Sequence, residues 1–171
     1  MSKKTRILGI PGSLRTNSSS HAILRAAAGM MPHDIEFTIY DGVGSLPHFD
    51  DTENEQVSGF RNLLRTADAV FICTPEYAFG VPGSLKNALD WIVSSGDFDQ
   101  KPVALITASS VGEKGHAAML QILTAISARI PEGATLLISF IRAKLNEKGE
   151  IKDAATENAV RSVVLSLLSS L

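Results

Sequence analysis

The polar residues that follow the first apolar segment of the chain have the types and spacing of an anion-binding loop. Residues 11–20 carry several hydroxyl groups, one amide and, at Arg15, one guanidinium. Apolar residues at helical spacing begin at Ile23, so the loop leads into a helix. The free N–H groups and the positive dipole end of a helix N-terminus favour an anion such as a phosphate group. The segment therefore predicts a phosphate site.

Two other interpretations of this loop are weaker. Serine is a preferred helix N-cap, so Ser18, Ser19 and Ser20 could serve only to begin the helix, but capping does not explain Arg15. The loop is not a Walker loop, because it contains no Gly-Lys-Ser/Thr sequence. Residues 9–12 also lack the third glycine of the dinucleotide-binding fingerprint.

A second group of polar residues lies between a predicted strand and a predicted helix. The apolar run at 69–73 has the length and β-branched content of a buried parallel strand, and Pro75 ends it. Pro82 suits a first helical turn. The residues that recur on one helical face after it are Leu85, Ala88, Leu89, Ile92 and Val93. Residues 76–80 therefore follow the carboxyl end of a strand, where open α/β sheets bind ligands.

A third polar loop follows the apolar strand predicted at 103–107 and covers residues 109–115. Gly112 and Gly115 permit the backbone to approach a flat ligand closely, although they could serve turn geometry alone. A helix is predicted at 116–128. His116 is interpreted as a residue of the helix start rather than a catalytic base, because no carboxylate near it in sequence would orient it.

The elements that must position these loops alternate regularly along the chain. Further strands are predicted at 5–10, 35–40 and 135–139, and further helices at 21–31, 55–67 and 154–171. This order predicts one α/β domain, residues 1–171, with a parallel sheet covered on both faces and right-handed crossovers. Residues 41–54 are expected to form a long surface loop. Its His48, Asp50 and Asp51 have no closed ligand spacing, so no metal site is predicted.

Composition excludes several classes of protein. Of 171 residues, 44% are hydrophobic and 20% are charged, which is globular composition, and the net charge of −2 provides no field for nucleic acid or an anionic membrane. No apolar run has the length of a signal peptide or of a membrane span. The single cysteine, Cys73, cannot form an intrachain disulfide and is expected to be buried in its strand. We therefore expect a cytoplasmic protein with no membrane or nucleic-acid partner.

Two signatures now identify a resemblance, the second of which has two parts. They are Gly12-Ser13-Leu14-Arg15 with Ser18, Thr74-Pro75-Glu76-Tyr77 with Pro82-Gly83, and Leu85-Lys86-Asn87-Ala88-Leu89-Asp90-Trp91. With them the chain resembles, over nearly its whole length, the NAD(P)H-dependent FMN reductases of the flavodoxin-like superfamily, which include azo-dye, quinone and chromate reductases. The resemblance implies a flavodoxin-like three-layer sandwich with a five-stranded parallel sheet of order 2-1-3-4-5. It also implies a homodimer or a homotetramer.

The resemblance assigns roles to the three loops. It implies that the first loop holds the FMN phosphate through its side chains and the backbone donors of the helix start. Those residues are Ser13, Arg15, Ser18, Ser19 and Ser20. It implies that Pro75, Glu76, Tyr77 and Ala78 line the isoalloxazine ring, and that a loop with Ser109, Gly112 and Gly115 borders its other edge. Glu76 could instead make a structural or subunit contact, and Tyr77 could be a plain surface turn residue.

The chain departs from the family pattern at three positions. Ala78 stands where asparagine is usual, Ser20 replaces an amide, and His116 follows Gly115 where a second glycine is common. The loss at Ala78 removes a side-chain contact, and His116 is expected to narrow the nicotinamide side of the site. These departures affect the expected efficiency and nucleotide preference more than FMN binding itself.

The resemblance implies a hydride relay from NADPH or NADH through FMN to a small electron acceptor such as a quinone, an azo compound, a metal oxyanion or free flavin. No catalytic acid or base is then required, because the cofactor carries the chemistry. Tyr77 would position the ring by packing. The alternative is a non-enzymatic flavodoxin-type electron carrier, although such carriers tend to be strongly acidic. A serine hydrolase is disfavoured because no Gly-x-Ser-x-Gly sequence is present.

Overall fold

Five parallel strands form one sheet in a computed structural model of the chain, which describes residues 4–171. The strands are β1 (Thr5–Pro11), β2 (Ile35–Ile39), β3 (Ala69–Thr74), β4 (Val103–Ala108) and β5 (Thr135–Ile138). Their order across the sheet is β2-β1-β3-β4-β5, and every neighbouring pair is parallel. The predicted α/β class and the 2-1-3-4-5 order are therefore confirmed.

Helices cover both faces of this sheet. They are α1 (Ser19–Gly29), α2 (Glu55–Thr66), α3 (Gly83–Asp90), α4 (Glu113–Ala125), α5 (Ile141–Lys144) and α6 (Ala154–Leu168). Because successive side chains of a strand point to opposite faces, each strand contributes to two cores. In β3, Val70 and Ile72 join the core under α2, α3 and α4, whereas Phe71 and Cys73 join the core under α1 and α6. The result is a three-layer sandwich.

The central strand β3 is buried along its whole length, as its apolar run predicts. Cys73, near its carboxyl end, is fully buried, and this burial raises the pKa of its thiol. The expectation that Cys73 is buried in its strand is confirmed. None of the helices in the described residues has the length and hydropathy needed to cross a bilayer.

The structure corrects the prediction at the end of α3. The helix ends at Asp90 rather than continuing, so Val93 lies in a turn and is 61% exposed instead of facing the core. Trp91, which falls off the predicted apolar face, is buried, and its indole N–H donates a hydrogen bond to the Pro47 carbonyl oxygen at 2.8 Å. Pro82 is the N-cap residue of α3 rather than part of its first turn. Helical spacing fails here because it applies only while the helix continues.

The segment after β2 is more ordered than a simple surface loop. A short 3₁₀-helix (Asp41–Ser45) opens it, and Val43 and Leu46 are buried. Asn87 of α3 then fixes the loop: its amide donates to the Pro47 carbonyl oxygen, and its side-chain oxygen accepts from the Phe49 N–H, both at 2.8 Å. Elements as short as this one and α5 carry too few residues to show a helical period.

Candidate functional site

Loops from separate parts of the chain meet at the carboxyl ends of the strands because β1, β3 and β4 are parallel neighbours. They enclose one cavity, which we call the strand-end cavity. It is lined by Ser13, Arg15, Ser18, Ser19, Ser20, Pro75, Glu76, Tyr77, Ala108, Ser109, Ser110, Ile141 and Arg142. Nine of the twelve predicted site residues lie in it. The other three, Ala78, Gly112 and Gly115, lie outside its lining.

The first loop turns tightly against the end of β3. The Gly12 N–H donates to the Cys73 carbonyl oxygen at 2.8 Å. A Cβ atom at Gly12 would lie 2.2 Å from Thr74 Oγ1 and 2.9 Å from Thr74 Cα, so no side chain fits at this position. The absence of a side chain at Gly12 therefore sets the path of the loop that carries Ser13 and Arg15.

Ser18 begins α1, as the capping interpretation proposed. Its Oγ accepts from the His21 N–H at 3.3 Å and lies 2.9 Å from His21 Nδ1, while His21 Nε2 lies 3.2 Å from Asp41 Oδ1. A carboxylate only accepts, so His21 Nε2 carries the proton of its hydrogen bond to Asp41. Ser18 thereby fixes the helix start and leaves the first N–H groups of the helix, at Ser19 and Ser20, without intrahelical acceptors.

Ser20 presents a buried hydroxyl group that lacks a strong hydrogen-bond partner. Its Oγ is the one buried side-chain polar atom within residues 4–171 that has no hydrogen bond. The Cys73 thiol lies close enough to Ser20 for a weak hydrogen bond, but sulfur is a poor donor and acceptor, so Ser20 Oγ keeps no strong partner. Buried polar atoms are nearly always paired, so an unpaired hydroxyl at a helix N-terminus fits a bound anion.

Two guanidinium groups stand at the same cavity. Arg15 comes from the first loop and Arg142 from α5, and no carboxylate of the described residues lies within salt-bridge distance of either. Guanidinium forks pair strongly with phosphate oxygens. The buried Ser20 hydroxyl, the free helix N–H groups and these two cations therefore fit the phosphate group of FMN.

Sequence reasoning missed Arg142. It lies 127 positions after Arg15 and belongs to a helix of four residues, so no local pattern marks it. A signal was nevertheless available, because Arg142 follows closely after β5. The carboxyl end of a fifth parallel strand must lie at the same sheet edge as the other loops.

The second loop contains a tight turn with unusual backbone angles. Tyr77 and Gly80 exchange two backbone hydrogen bonds of 3.0 and 2.9 Å, and the two residues between them, Ala78 and Phe79, have φ of 48° and 60°. Two consecutive positive φ values define a type I′ turn, which favours asparagine and glycine. Left-handed backbone costs other L-residues about 1 to 2 kcal/mol each. Ala78 thus contributes strain and turn shape rather than cavity lining.

We expect Ala78→Asn to raise the free energy of unfolding by up to about 1 kcal/mol, because asparagine tolerates the left-handed region better than alanine. Urea unfolding of the two proteins measures the difference. The matched control is Ala117→Asn on the exposed middle of α4, where the same change is expected to destabilise the helix by about 0.5 kcal/mol. A loss of stability on Ala78→Asn would contradict the strain argument.

Glu76 connects the second loop to the start of α4. The N-cap residue of α4, Gly112, has no side chain, and Glu76 Oε2 instead accepts from the Gly115 N–H at 2.6 Å. The Glu76 N–H donates to Ser109 Oγ at 3.3 Å. A carboxylate at a helix N-terminus also interacts favourably with the helix dipole. The structural interpretation of Glu76 as a contact residue therefore has direct support.

Glu76→Ala is expected to speed amide hydrogen exchange at Gly115 by about tenfold or more, since a hydrogen bond to a charged group contributes about 1.5 to 3 kcal/mol. Hydrogen exchange followed by NMR measures the rate at this amide. Glu113→Ala is the matched control, because this exposed carboxylate lies in the same helical turn but makes no hydrogen bond to the second loop among the described residues. Equal exchange rates at Gly115 in both variants and the wild type would show that Glu76 does not hold the loop.

The third loop is shorter than predicted, because α4 begins at Glu113 and Gly115 lies in its first turn. Gly112 has φ of 97°, and a Cβ atom there would lie 2.7 Å from Leu137 Cδ1. A Cβ atom at Gly115 would lie 3.0 Å from Glu76 Cβ. Both glycines therefore serve the helix start and its packing.

His116 is the fourth residue of α4, so it lies near the helix start, as its sequence context predicts. Its Nδ1 lies 2.8 Å from Thr107 Oγ1, at the end of β4. Partial burial of the ring lowers the pKa of His116, which favours the neutral imidazole. Within residues 4–171 no carboxylate bonds to the ring, and no three potential ligands gather as a metal site.

A doubly wound parallel sheet of order 2-1-3-4-5 with an anion cup after β1 defines the class of flavodoxin-like α/β proteins. The sequence model of the NADPH-dependent FMN reductase family matches residues 5–142. The chain belongs to this family and is an NAD(P)H-dependent FMN oxidoreductase. The family resemblance drawn from the sequence signatures is thereby confirmed.

Similar proteins cover most of the chain. A quinone reductase of Escherichia coli K12 is 32% identical over 169 residues, which span 91% of this chain and 89% of that protein. An NAD(P)H-dependent FMN reductase of Pseudomonas aeruginosa is 35% identical over 117 residues, which span 64% of this chain and 63% of that protein. The solved structure of FerB, a flavoenzyme NAD(P)H:(acceptor) oxidoreductase of Paracoccus denitrificans, covers 96% of both chains with a TM-score of 0.78 and 24% identity.

Proposed function

We propose that this oxidoreductase reduces quinone-type acceptors, with FMN held in the strand-end cavity. FMN, when bound, supplies the hydride chemistry, and the polypeptide supplies binding and orientation. The observation that carries the proposal is the unpaired, buried Ser20 hydroxyl beside the free start of α1 and the guanidinium groups of Arg15 and Arg142. The similarity to a quinone reductase over nearly the whole chain supports the acceptor class.

We assign the residues of the cavity as follows. Ser13, Arg15, Ser20 and the N–H groups of Ser19 and Ser20 hold the phosphate, and Ser18 fixes the helix that presents them. Residues 75–77 form the edge that meets the ring, and the Tyr77 hydroxyl lies 3.3 Å from Ser13 Oγ, so the ring edge and the phosphate end are connected. Ser109 supports the opposite side through Glu76.

The first experiment is the absorption spectrum of the FMN-incubated protein, followed anaerobically after NADPH, then NADH, then a benzoquinone. We expect the absorption of bound oxidised flavin to bleach when a pyridine nucleotide is added and to recover when the quinone is added. The more effective nucleotide gives the donor preference. Bound flavin that stays oxidised with both nucleotides would instead indicate an electron carrier. Absence of bound flavin would contradict the assignment of the cavity.

We also propose that a second copy of the chain covers the apolar residues around the cavity. The exposed fractions are 46% for Tyr77, 71% for Phe79, 51% for Val111 and 69% for Phe140. The segments that carry Val111 and Phe140 are neighbours, because the Phe140 N–H donates to the Ser110 carbonyl oxygen. Large exposed apolar side chains grouped in this way are typical of interaction surfaces.

We expect Phe140→Ser to raise the dissociation constant of the homodimer about tenfold or more, as for an aromatic residue in an interface. Sedimentation velocity over a concentration series measures this constant. Leu165→Ser on α6 is the control, because Leu165 is 59% exposed and lies on a helix that contributes nothing to the lining of the cavity. A monomeric wild-type protein would overturn the proposed dimer.

The single FMN-binding domain is likewise a proposal, and the cytoplasmic location stays a prediction.

A further inference from the structure

A second cavity, of about 440 Å³, adjoins the strand-end cavity beyond its phosphate end. The first loop and α1 form one wall, and α5 with the turn at 146–149 forms the other. The two cavities share Arg15, Ser18, Ser19 and Arg142. We call the second one the basic cavity. A ligand in the strand-end cavity could therefore continue past the two arginines into it.

The basic cavity carries a concentrated positive charge. Arg25 and Lys148 join Arg15 and Arg142 in its lining, against one carboxylate, Glu147. None of these four cations forms a salt bridge within the described part of the chain. The Arg25 side chain makes only a long contact, 3.5 Å, to the Thr16 carbonyl oxygen. Four unpaired cations around one cavity favour a multiply charged anion.

The wall that carries Lys148 is held in place independently of any ligand. Asn146 Oδ1 accepts from the N–H groups of Lys148 and Glu150 at 3.0 and 2.9 Å. The Asn146 amide donates to Glu150 Oε2 at 2.8 Å, which engages that carboxylate within the turn. Because the turn is ordered by its own bonds, binding would require little further ordering of this wall.

The size and chemistry of the basic cavity indicate its ligand. Its volume lies within the range of about 300 to 1,000 Å³ typical of small-molecule sites, so it exceeds the needs of one free phosphate ion. Its lining combines the buried Ser18 and Ala22 with exposed charged side chains, and Leu145 is the one large apolar residue in that lining. This lining suits a phosphorylated nucleoside better than an apolar molecule.

We propose that the basic cavity binds the adenylate phosphate of a nucleotide next to the flavin phosphate. Two ligands supply this chemistry: FAD, whose flavin half occupies the strand-end cavity, or an adenine nucleotide that binds beside FMN. The proposal rests on the proposed function, since it assigns the strand-end cavity to the flavin. It extends the flavin ligand of the protein from FMN to FAD, or to FMN together with a separately bound nucleotide.

The experiment compares the dissociation constants of FMN and FAD for the apoprotein by fluorescence titration. The test variant is Arg25→Gln with Lys148→Gln, which changes only cations that line the basic cavity and not the strand-end cavity. The matched control is Arg65→Gln with Lys152→Gln, which removes two exposed charges that line neither cavity. FMN-loaded protein is titrated in parallel with adenosine 2′,5′-bisphosphate by calorimetry.

In the test variant, a dissociation constant for FAD that rises about fivefold to twentyfold supports the FAD form of the proposal, provided that the constant for FMN changes by no more than about twofold. If only the binding of adenosine 2′,5′-bisphosphate weakens by this amount, the result supports the form in which a separate adenine nucleotide binds beside FMN. Equal dissociation constants for FAD and for the bisphosphate in the test variant, the control and the wild type overturn the proposal. A wild-type protein that binds FMN but neither FAD nor the bisphosphate also overturns it.

Failure of the proposed function has a different signature, which is the absence of FMN binding. Apoprotein is then titrated with the bisphosphate alone. Weaker binding in the test variant than in the control still supports the subsite, and equal or absent binding overturns it.

Discussion

Replacement of Arg15 by alanine is expected to weaken FMN binding by about 1.5 to 3 kcal/mol, which is about 10- to 150-fold in Kd. Arg15 lies in the strand-end cavity beside the start of α1, and its guanidinium has no carboxylate partner within residues 4–171. Its charge is therefore available to the phosphate. Quenching of flavin fluorescence on titration with the protein measures the constant.

Two further variants make this test specific. Arg65→Ala removes an exposed arginine from the last turn of α2 and is expected to leave FMN affinity unchanged. Riboflavin, which lacks the phosphate, should bind wild type and Arg15→Ala equally. An unchanged FMN constant in Arg15→Ala would remove Arg15 from the site, whereas an equal loss for riboflavin would show a structural effect.

Gly12→Ala is expected to lower the free energy of unfolding by about 1 to 3 kcal/mol, the usual effect of forcing an extra group into a packed region. The new Cβ atom would lie 2.9 Å from the backbone Cα of Thr74, so a rotation of the Thr74 side chain cannot relieve the clash. The loop would have to shift away from β3 and carry Ser13 and Arg15 with it. Urea unfolding measures the stability, and flavin titration measures the accompanying loss of FMN affinity.

A glycine-to-alanine substitution elsewhere in the chain should have the opposite effect on the free energy of unfolding. Gly59 lies inside α2, and a Cβ atom there would meet no atom within 4 Å. Gly59→Ala is therefore expected to stabilise the protein by about 0.5 to 1 kcal/mol through the higher helix propensity of alanine. If Gly12→Ala were as stable as the wild type, the close approach of the first loop to β3 would not set the loop path.

The sequence was most informative where one physical cause acts over many neighbouring residues. The run at 69–73 contains only apolar residues, and β3 covers it and is buried on both faces. Burial on both faces requires such a continuous run, so the strand could be recognised without any partner. Alternation of strands and helices then fixed the α/β class.

Short segments were predicted less well because they lack a period. The four residues of α5 make about one helical turn, so the segment that carries Arg142 showed no pattern. The end of α3 was misplaced for a related reason. Apolar residues continue to Val93 in the sequence, but the backbone leaves the helix at Trp91, which turns that indole inward and Val93 outward.

The sequence by itself determined the alternation of strands and helices and the family of the protein, and it predicted a phosphate site in the first loop, because these inferences depend on residue types at neighbouring positions. Only the tertiary structure decided that Glu76 caps α4 and that Ser20 Oγ is buried without a partner. It also decided that Arg25, Arg142 and Lys148 gather around the basic cavity. Those facts depend on contacts between residues far apart in the chain, and such contacts exist only after the parallel sheet has brought the strand ends together.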